Sequence, residues 1–203
     1  LNEFWDNLKN GVESISFLGD EELMAAGVER SLIDNPQYVK ANAFIRNKEF
    51  FDADFFGYIP SEARLMDPQI RLFHENCWKA LEDAGYDASN NHDKVGLFAG
   101  ATSNINWLCY AILSNMENAV NDFTAYLLRD VNFISSRVSH ALNLQGPSIY
   151  MNTACSTSLV AVQKACMSLL LRECRMALAG GITIHNHSQK GYLYEEGMIV
   201  SPD

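Results

Sequence analysis

The ten-residue stretch Asn152–Ala161 restricts the possible folds of this chain more than any other. It places Cys155 among small and hydroxyl-bearing residues, and the apolar run Leu159–Leu171 follows it. Just before it, Ser148–Met151 has the composition of a short buried strand introduced by a Gly-Pro turn. The local sequence therefore predicts a strand, a tight turn that holds the cysteine, and then a helix.

A cysteine in the first turn of a helix is suited to nucleophilic chemistry. Unpaired backbone N–H groups and the positive end of the helix dipole favour the thiolate, and the same N–H groups can donate to an oxyanion when a thioester is attacked. The small side chains of Ala154, Ser156 and Ser158 leave room for an acyl group. Spacing alone favours the other interpretation, a buried structural cysteine on a core helix.

The residues themselves carry a resemblance to a known family. Thr153–Ser158 is similar to the active-site motif of ketosynthase (β-ketoacyl synthase) domains in modular polyketide synthases and hybrid polyketide–peptide synthetases. Other blocks resemble the same family in the same order: Asp67–Leu72 with Trp78–Tyr86, Val95–Gly100, Ser136–Ser139 and Gly191–Asp203. The likeness extends from Leu1 to Asp203, which chance does not explain.

The alternation of predicted strands and helices indicates an α/β layered architecture with a mixed sheet. The resemblance implies a thiolase-like fold of two similar βα halves packed face to face. By the same resemblance we expect residues 1–203 to be a partial ketosynthase domain that lacks the first strand and the C-terminal half.

The resemblance also implies a mechanism. Cys155 would accept an acyl chain from the phosphopantetheine arm of an acyl carrier protein, and two histidines would assist decarboxylation of an extender unit before carbon–carbon bond formation. No histidine of this chain stands in a matching motif, so Cys155 is the only catalytic residue predicted. We therefore expect the fragment alone not to catalyse condensation. A ketosynthase that only transacylates, and a structural module for dimerisation and carrier docking, are the alternatives.

Composition excludes several other classes of function. The net charge of −10 argues against nucleic acid and anionic membranes as partners. Five cysteines without paired spacing indicate reduced, cytoplasmic usage, and no apolar run is long enough to span a membrane. The pair His185 and His187 lacks a third ligand, so no metal is expected. The resemblance implies no directly bound cofactor, with acyl carrier protein domains, adjacent synthase domains and a second copy of the chain as partners.

Sequence patterns also predict individual elements. Asp67-Pro68 is a strong helix start and Gly85 a stop, and Lys94–Gly100 is typical of a buried central strand. Other elements are predicted as follows: helices at 1–10, from 20 to near 27, at 104–116 and in two pieces within 119–142, a strand at 175–181, and a loop-rich segment with one short strand at 28–56. In the helix at 104–116 we expect Trp107, Leu108, Ala111 and Ile112 to point inward. The paired glycines that end the strand at 175–181 indicate close backbone packing near the site. Arg137 and Ser139 are expected to support the site structurally.

Overall fold

A computed structural model of the chain describes residues 2–87, 94–114, 120–184 and 190–203. The chain forms two compact units. The first consists of Leu1–Arg46 and His187–Asp203, and the second consists of Asn47–Asn186. The helices are α1 (Asn2–Asn10), α2 (Asp20–Ala25), α3 (Arg30–Ile33), α4 (Pro60–Leu65), α5 (Pro68–Asp83), α6 (Ile105–Leu113), α7 (Asp122–Arg129), α8 (Ile134–Ala141) and α9 (Thr157–Leu170). The strands are β1 (Ser16–Phe17), β2 (Tyr38–Val39), β3 (Ala41–Asn42), β4 (Val95–Ala101), β5 (Ser148–Tyr150), β6 (Met176–Ile182) and β7 (Tyr192–Leu193).

The first unit consists of short elements around a small core. Strands β1 and β3 pair antiparallel, as do β2 and β7. Its core contains Leu23, Val28, Ile33 and Tyr38. Helices α1 and α2 confirm the predictions for residues 1–10 and 20–27, whereas α3 and the second strand in the loop-rich segment were not predicted.

A three-stranded parallel sheet with the strand order β5-β4-β6 forms the centre of the second unit. Every residue of β4 is buried, which confirms the prediction of a strand covered on both faces. Leu97 and Ala99 lie in the core that α5 and α8 form on one face, and Phe98 packs against Ala161 and Ala165 of α9 on the other. This arrangement places α9 directly against the sheet.

Helix α5 begins as the sequence predicts. The Asp67 carboxylate accepts a hydrogen bond of 2.7 Å from the Gln69 backbone N–H, and Pro68 occupies the first helical position. Gly85 follows the helix with a φ of +78°, a left-handed conformation that glycine adopts at low cost. Because Asp67 and Gln69 are themselves buried, this helix start lies inside the unit.

The structure corrects two predictions about which helix faces are covered. Leu108 and Ile112 of α6 were expected to point inward, but both side chains are exposed and only Ala111 is buried in that helix. Cys166, which the sequence pattern places on an apolar helical face, is exposed as well. Periodicity identifies an apolar face, whereas its burial depends on which elements pack there. No helix in the described ranges is long and apolar enough to cross a membrane.

Candidate active site

The turn between β5 and α9 carries Cys155. Residues Ala154–Ser156 form a single 3-10 turn, and α9 begins directly afterwards at Thr157. The sequence predicted a buried strand, a turn, the cysteine and a helix, and the structure confirms this order with two differences. Strand β5 is exposed at Ser148 and Ile149 and half-buried at Tyr150, so the predicted burial was wrong. Cys155 lies in the 3-10 turn before the α-helix and not in the first α-helical turn.

Short hydrogen bonds within the turn hold its backbone in place. Thr157 Oγ1 accepts from the Thr153 N–H at 2.9 Å and donates to the Ala154 carbonyl at 2.7 Å. Asn152 Oδ1 accepts from the Ala154 N–H at 3.0 Å, and Ser156 Oγ donates to the Thr153 carbonyl at 2.9 Å. The hydroxyl and amide side chains that crowd this stretch of sequence therefore act as braces for the turn.

Ala154 has an unusual backbone conformation next to the cysteine. Its φ is +53°, in the left-handed region that residues with a Cβ rarely adopt. Such conformations persist where surrounding contacts impose them, and they concentrate at functional sites. Here the bonds from Asn152 and Thr157 impose it, and they turn the chain sharply between the strand and the helix.

Cys155 opens into a pocket of about 200 Å³ at the carboxyl ends of β4 and β6. The residues that line it come from these two strand ends and from the cysteine turn: Gly100, Ala101, Thr102, Ala154, Cys155, Thr157, Ser158, Gly181, Ile182 and Thr183. In open parallel sheets, ligands bind at this end of the strands. The location of the pocket therefore follows from the topology of the sheet.

Two glycines bring the strand ends close to the cysteine turn. Gly100 of β4 and Gly181 of β6 are neighbours in register. A Cβ atom on Gly100 would lie 2.5 Å from the Met151 carbonyl oxygen and still closer to Thr157, and one on Gly181 would lie 3.5 Å from Ser158 Cβ. The Ala-Gly-Gly segment of the sequence thus marks a close backbone approach, as predicted for residues 175–181.

Solvent exposure and position in the pocket distinguish Cys155 from the other cysteines. Cys77 and Cys174 are buried, and burial raises the pKa of the Cys77 thiol to about 12, which makes it unreactive. Cys155, Cys109 and Cys166 are exposed. Of these exposed thiols, only Cys155 lines the pocket, which lies at the N-terminal end of α9. The first N–H groups of a helix have no acceptor within that helix.

Arg137 and Ser139 lie outside the lining of the Cys155 pocket. Arg137 Nε donates to the Leu127 carbonyl at 3.0 Å, and Ser139 Oγ donates to the Leu144 carbonyl at 3.1 Å. These contacts hold α8 to its neighbouring segments, so both residues have a structural role. The contacts lie away from the cysteine turn, which differs from the predicted support of the site.

The histidines of the described residues also lie outside this pocket. His74 is fully buried, its Nδ1 lies 2.7 Å from the Ile70 carbonyl oxygen, and its Nε2 lies 3.1 Å from the Tyr58 hydroxyl. Burial lowers the pKa of His74 to about 4, so it is neutral at pH 7. His140 is exposed, whereas His92, His185 and His187 lie outside the described residues. Within the described ranges, no cluster of three or more potential ligands could hold a metal ion.

Two pocket residues were missed in the sequence. Thr102 and Thr183 follow β4 and β6 directly, and their hydroxyl oxygens lie 2.9 Å apart across the pocket wall. Each threonine stands two residues beyond a glycine of the paired strands. This shared spacing was the available signal, but it becomes visible only once the two strands are known to be neighbours.

Comparison with known proteins agrees with this geometry. Residues 1–203 match the model of the β-ketoacyl synthase N-terminal domain. The chain is 43% identical over 209 residues to a phenolphthiocerol/phthiocerol polyketide synthase of Mycobacterium tuberculosis H37Rv, in an alignment that covers 99% of this chain and 14% of that protein. It is 36% identical over 202 residues to polyketide synthase PksN of Bacillus subtilis 168, covering all of this chain and 4% of PksN. The chain thus spans only a small part of the length of these relatives.

The comparison of structures leads to the same family. The chain superimposes with a TM-score of 0.90 and 37% identity on ketosynthase twelve of the bacillaene polyketide synthase from Bacillus amyloliquefaciens, covering 100% of this chain and 35% of that one. The predicted resemblance and the predicted thiolase-like fold are thereby confirmed. The chain belongs to the β-ketoacyl synthase family, whose N-terminal domain it matches from residue 1 to residue 203.

Proposed function

We propose that this chain is a partial ketosynthase domain that supplies the acyl-accepting cysteine of a polyketide synthase. The Cys155 thiolate attacks the thioester carbonyl of an acyl group on the phosphopantetheine arm of an acyl carrier protein. The new C–S bond forms, the bond to the arm breaks, and the departing thiolate takes the proton that Cys155 has lost. The product is an acyl-enzyme thioester.

The observation that carries the proposal is the exposed Cys155 thiol in an open pocket at the carboxyl ends of β4 and β6. The side chains around it are small, so a planar thioester can approach the sulfur. The Thr157 N–H at the start of α9 already donates to the Ala154 carbonyl. N–H groups of a first helical turn that lack such a partner can stabilise the negative charge that develops on the carbonyl oxygen. Membership of the β-ketoacyl synthase family supports an acyl thioester as the substrate class.

In the complete reaction a malonyl-type extender loses carbon dioxide, and the resulting carbanion attacks the acyl carbon. A new carbon–carbon bond forms, and the Cys155 thiolate leaves and is free for the next acyl group. The family resemblance assigns decarboxylation to two histidines in motifs that this chain does not contain. The residues of this chain therefore support acyl loading, and condensation requires further residues.

The proposed partners follow from the same chemistry. Acyl groups arrive on carrier protein domains, adjacent synthase domains process the product, and no cofactor binds directly to this chain. We place a second copy of the chain beside β5, which is one of the two edge strands of the described sheet and carries the exposed Ile149. The five free thiols and the thioester substrates suit a reducing cytoplasm.

Acyl loading tests this proposal directly. The protein that carries this chain, expressed at its natural length, is incubated with an acyl thioester of N-acetylcysteamine, and the acyl adduct is measured by intact mass spectrometry. Cys155→Ala abolishes the adduct, because the nucleophile is gone. Cys166→Ala is the matched control, since Cys166 is also exposed on the same segment but does not line the pocket; it loads at the wild-type rate. Loading that persists in Cys155→Ala contradicts the proposal.

Transacylation without elongation is distinguished by a second measurement. With a malonyl-type extender on a carrier protein, a condensing enzyme releases carbon dioxide and forms a β-ketoacyl product after Cys155 is loaded. An enzyme that loads Cys155 and passes the acyl group to a second carrier without carbon dioxide release is a transacylase. A pure docking module shows neither reaction.

A further inference from the structure

We propose that Thr102 and Thr183 recognise an oxygen substituent on the acyl chain that Cys155 carries. This inference rests on the proposed function and adds a class of substrate to it. Both threonines line the same pocket as Cys155. They stand side by side at its wall, because each directly follows one of two adjacent parallel strands.

The hydrogen-bonding capacity of the pair suits an oxygen atom. Two hydroxyl groups contain two protons, and the bond of 2.9 Å between Thr102 and Thr183 uses one of them. The pair therefore retains one O–H donor and free lone pairs. It can donate to a carbonyl oxygen, and it can both donate to and accept from a hydroxyl group on the substrate.

An acyl chain without oxygen near the thioester makes a poorer contact with this wall. It displaces water from the two hydroxyl groups and offers no hydrogen bond in return, which costs free energy. A site that hydrogen-bonds a substrate hydroxyl discriminates against the analogue that lacks it. We therefore expect the pocket to prefer acyl groups that carry a hydroxyl or keto oxygen close to the thioester.

A buried glutamine holds the two threonines in position. The Gln69 side chain is 1% exposed; its Nε2 donates to the Thr102 carbonyl at 2.8 Å, and its Oε1 accepts from the Ile184 N–H at 3.2 Å. One side chain thus bonds both segments that follow β4 and β6, next to each threonine. Gln69 is a positioning residue that orients the pair before substrate binds, which preserves the discrimination.

The test compares three thioesters that share one leaving group. The protein at its natural length is acylated with the N-acetylcysteamine thioesters of butanoate and of each enantiomer of 3-hydroxybutanoate, and the rate constant for the Cys155 adduct is measured by mass spectrometry. We expect one 3-hydroxy enantiomer to react about three- to tenfold faster than butanoate, the range that one neutral hydrogen bond supplies.

Substitution of the hydroxyl groups separates recognition from support of the fold. Thr102→Val and Thr183→Val keep the shape of the side chain and bring the ratio of the 3-hydroxybutanoate rate to the butanoate rate close to one. Thr102→Ser keeps a hydroxyl group and retains the wild-type ratio. Thr124→Val, the same change outside the pocket, leaves the ratio unchanged. Alkylation of Cys155 by iodoacetamide serves as the readout of turn geometry and stays constant in the valine variants.

Each outcome has one meaning. If none of the three thioesters acylates Cys155, the proposed function itself fails. If they load but neither 3-hydroxy enantiomer reacts faster than butanoate in the wild type, the function stands and the recognition by the threonine pair is refuted. If the valine variants slow both thioesters equally, the pair contacts the shared pantetheine-like arm or only supports the pocket, and the inference is likewise overturned.

Discussion

Gly100 is the position where the smallest substitution should disturb the site most. Gly100→Ala adds one methyl group to β4, facing the cysteine turn. The new carbon would lie 2.5 Å from the Met151 carbonyl oxygen and closer still to Thr157 Cγ2, whereas carbon atoms pack at about 3.5–4.0 Å. The turn must therefore move away from the strand by about 1 Å or more.

The magnitude follows from what resists that movement. Thr157 cannot rotate freely, because its hydroxyl bonds both the Thr153 N–H and the Ala154 carbonyl. Overpacking a filled site costs about 1–3 kcal/mol, and a lost hydrogen bond adds about 1 kcal/mol. We expect Gly100→Ala to destabilise the fold by about 3 kcal/mol and to lower the melting temperature.

Gly180→Ala is the matched control, since Gly180 lies in the neighbouring strand β6 and its added carbon would meet only Phe73 Cε2 at 3.7 Å, an ordinary contact. Thermal unfolding of the natural-length protein is followed by circular dichroism, and Cys155 accessibility by its alkylation rate. The unfolding free energy of Gly180→Ala should lie within about 1 kcal/mol of the wild-type value. Gly100→Ala should unfold at a lower temperature, and its Cys155 should be alkylated at an altered rate. Equal melting temperatures for the two variants would refute the close approach of β4 to the cysteine turn.

Two further predictions concern buried polar groups. Burial lowers the pKa of His74 from 6.5 to about 4. Stability is therefore full above pH 6.5 and falls by about 3 kcal/mol as the pH drops toward 4, because the unfolded chain binds a proton there that the folded chain does not. The unfolding free energy should decrease less between pH 7 and 4.5 in His74→Gln than in the wild type, and an equal decrease in both would contradict this. Asp67→Ala should cost about 2 kcal/mol in a denaturant titration, because the buried Gln69 N–H loses its acceptor, whereas Asp67→Asn keeps an acceptor oxygen and should cost clearly less. An Asn variant as unstable as the Ala variant would show that the carboxylate charge matters instead.

Local chemistry explains why parts of the fold could be predicted from the sequence. The start of α5 depends on Asp67 and Pro68, whose effects reach only a few residues, and it was predicted correctly. The run Lys94–Gly100 is apolar without interruption after its first residue, and only a strand covered on both faces accommodates such a run. The order of strand, turn and helix around Cys155 was predicted for a similar reason, because these signals all lie within about twenty residues of it. The proposed catalytic role of Cys155 came from the family resemblance instead.

The pocket around that cysteine depends on contacts between distant parts of the chain. Thr102 and Thr183 meet because β4 and β6 pair in parallel, and parallel pairing requires a long connection whose register no local signal reveals. Gln69 belongs to a third segment and joins both strand ends through one amide. The turn that holds Cys155, the proposed nucleophile, is thus encoded locally, whereas the pocket residues around it are brought together only by the complete sheet. With the roles proposed above, changes at Thr102, Thr183 or Gln69 alter which acyl chain is accepted while the Cys155 turn and its reactivity remain the same.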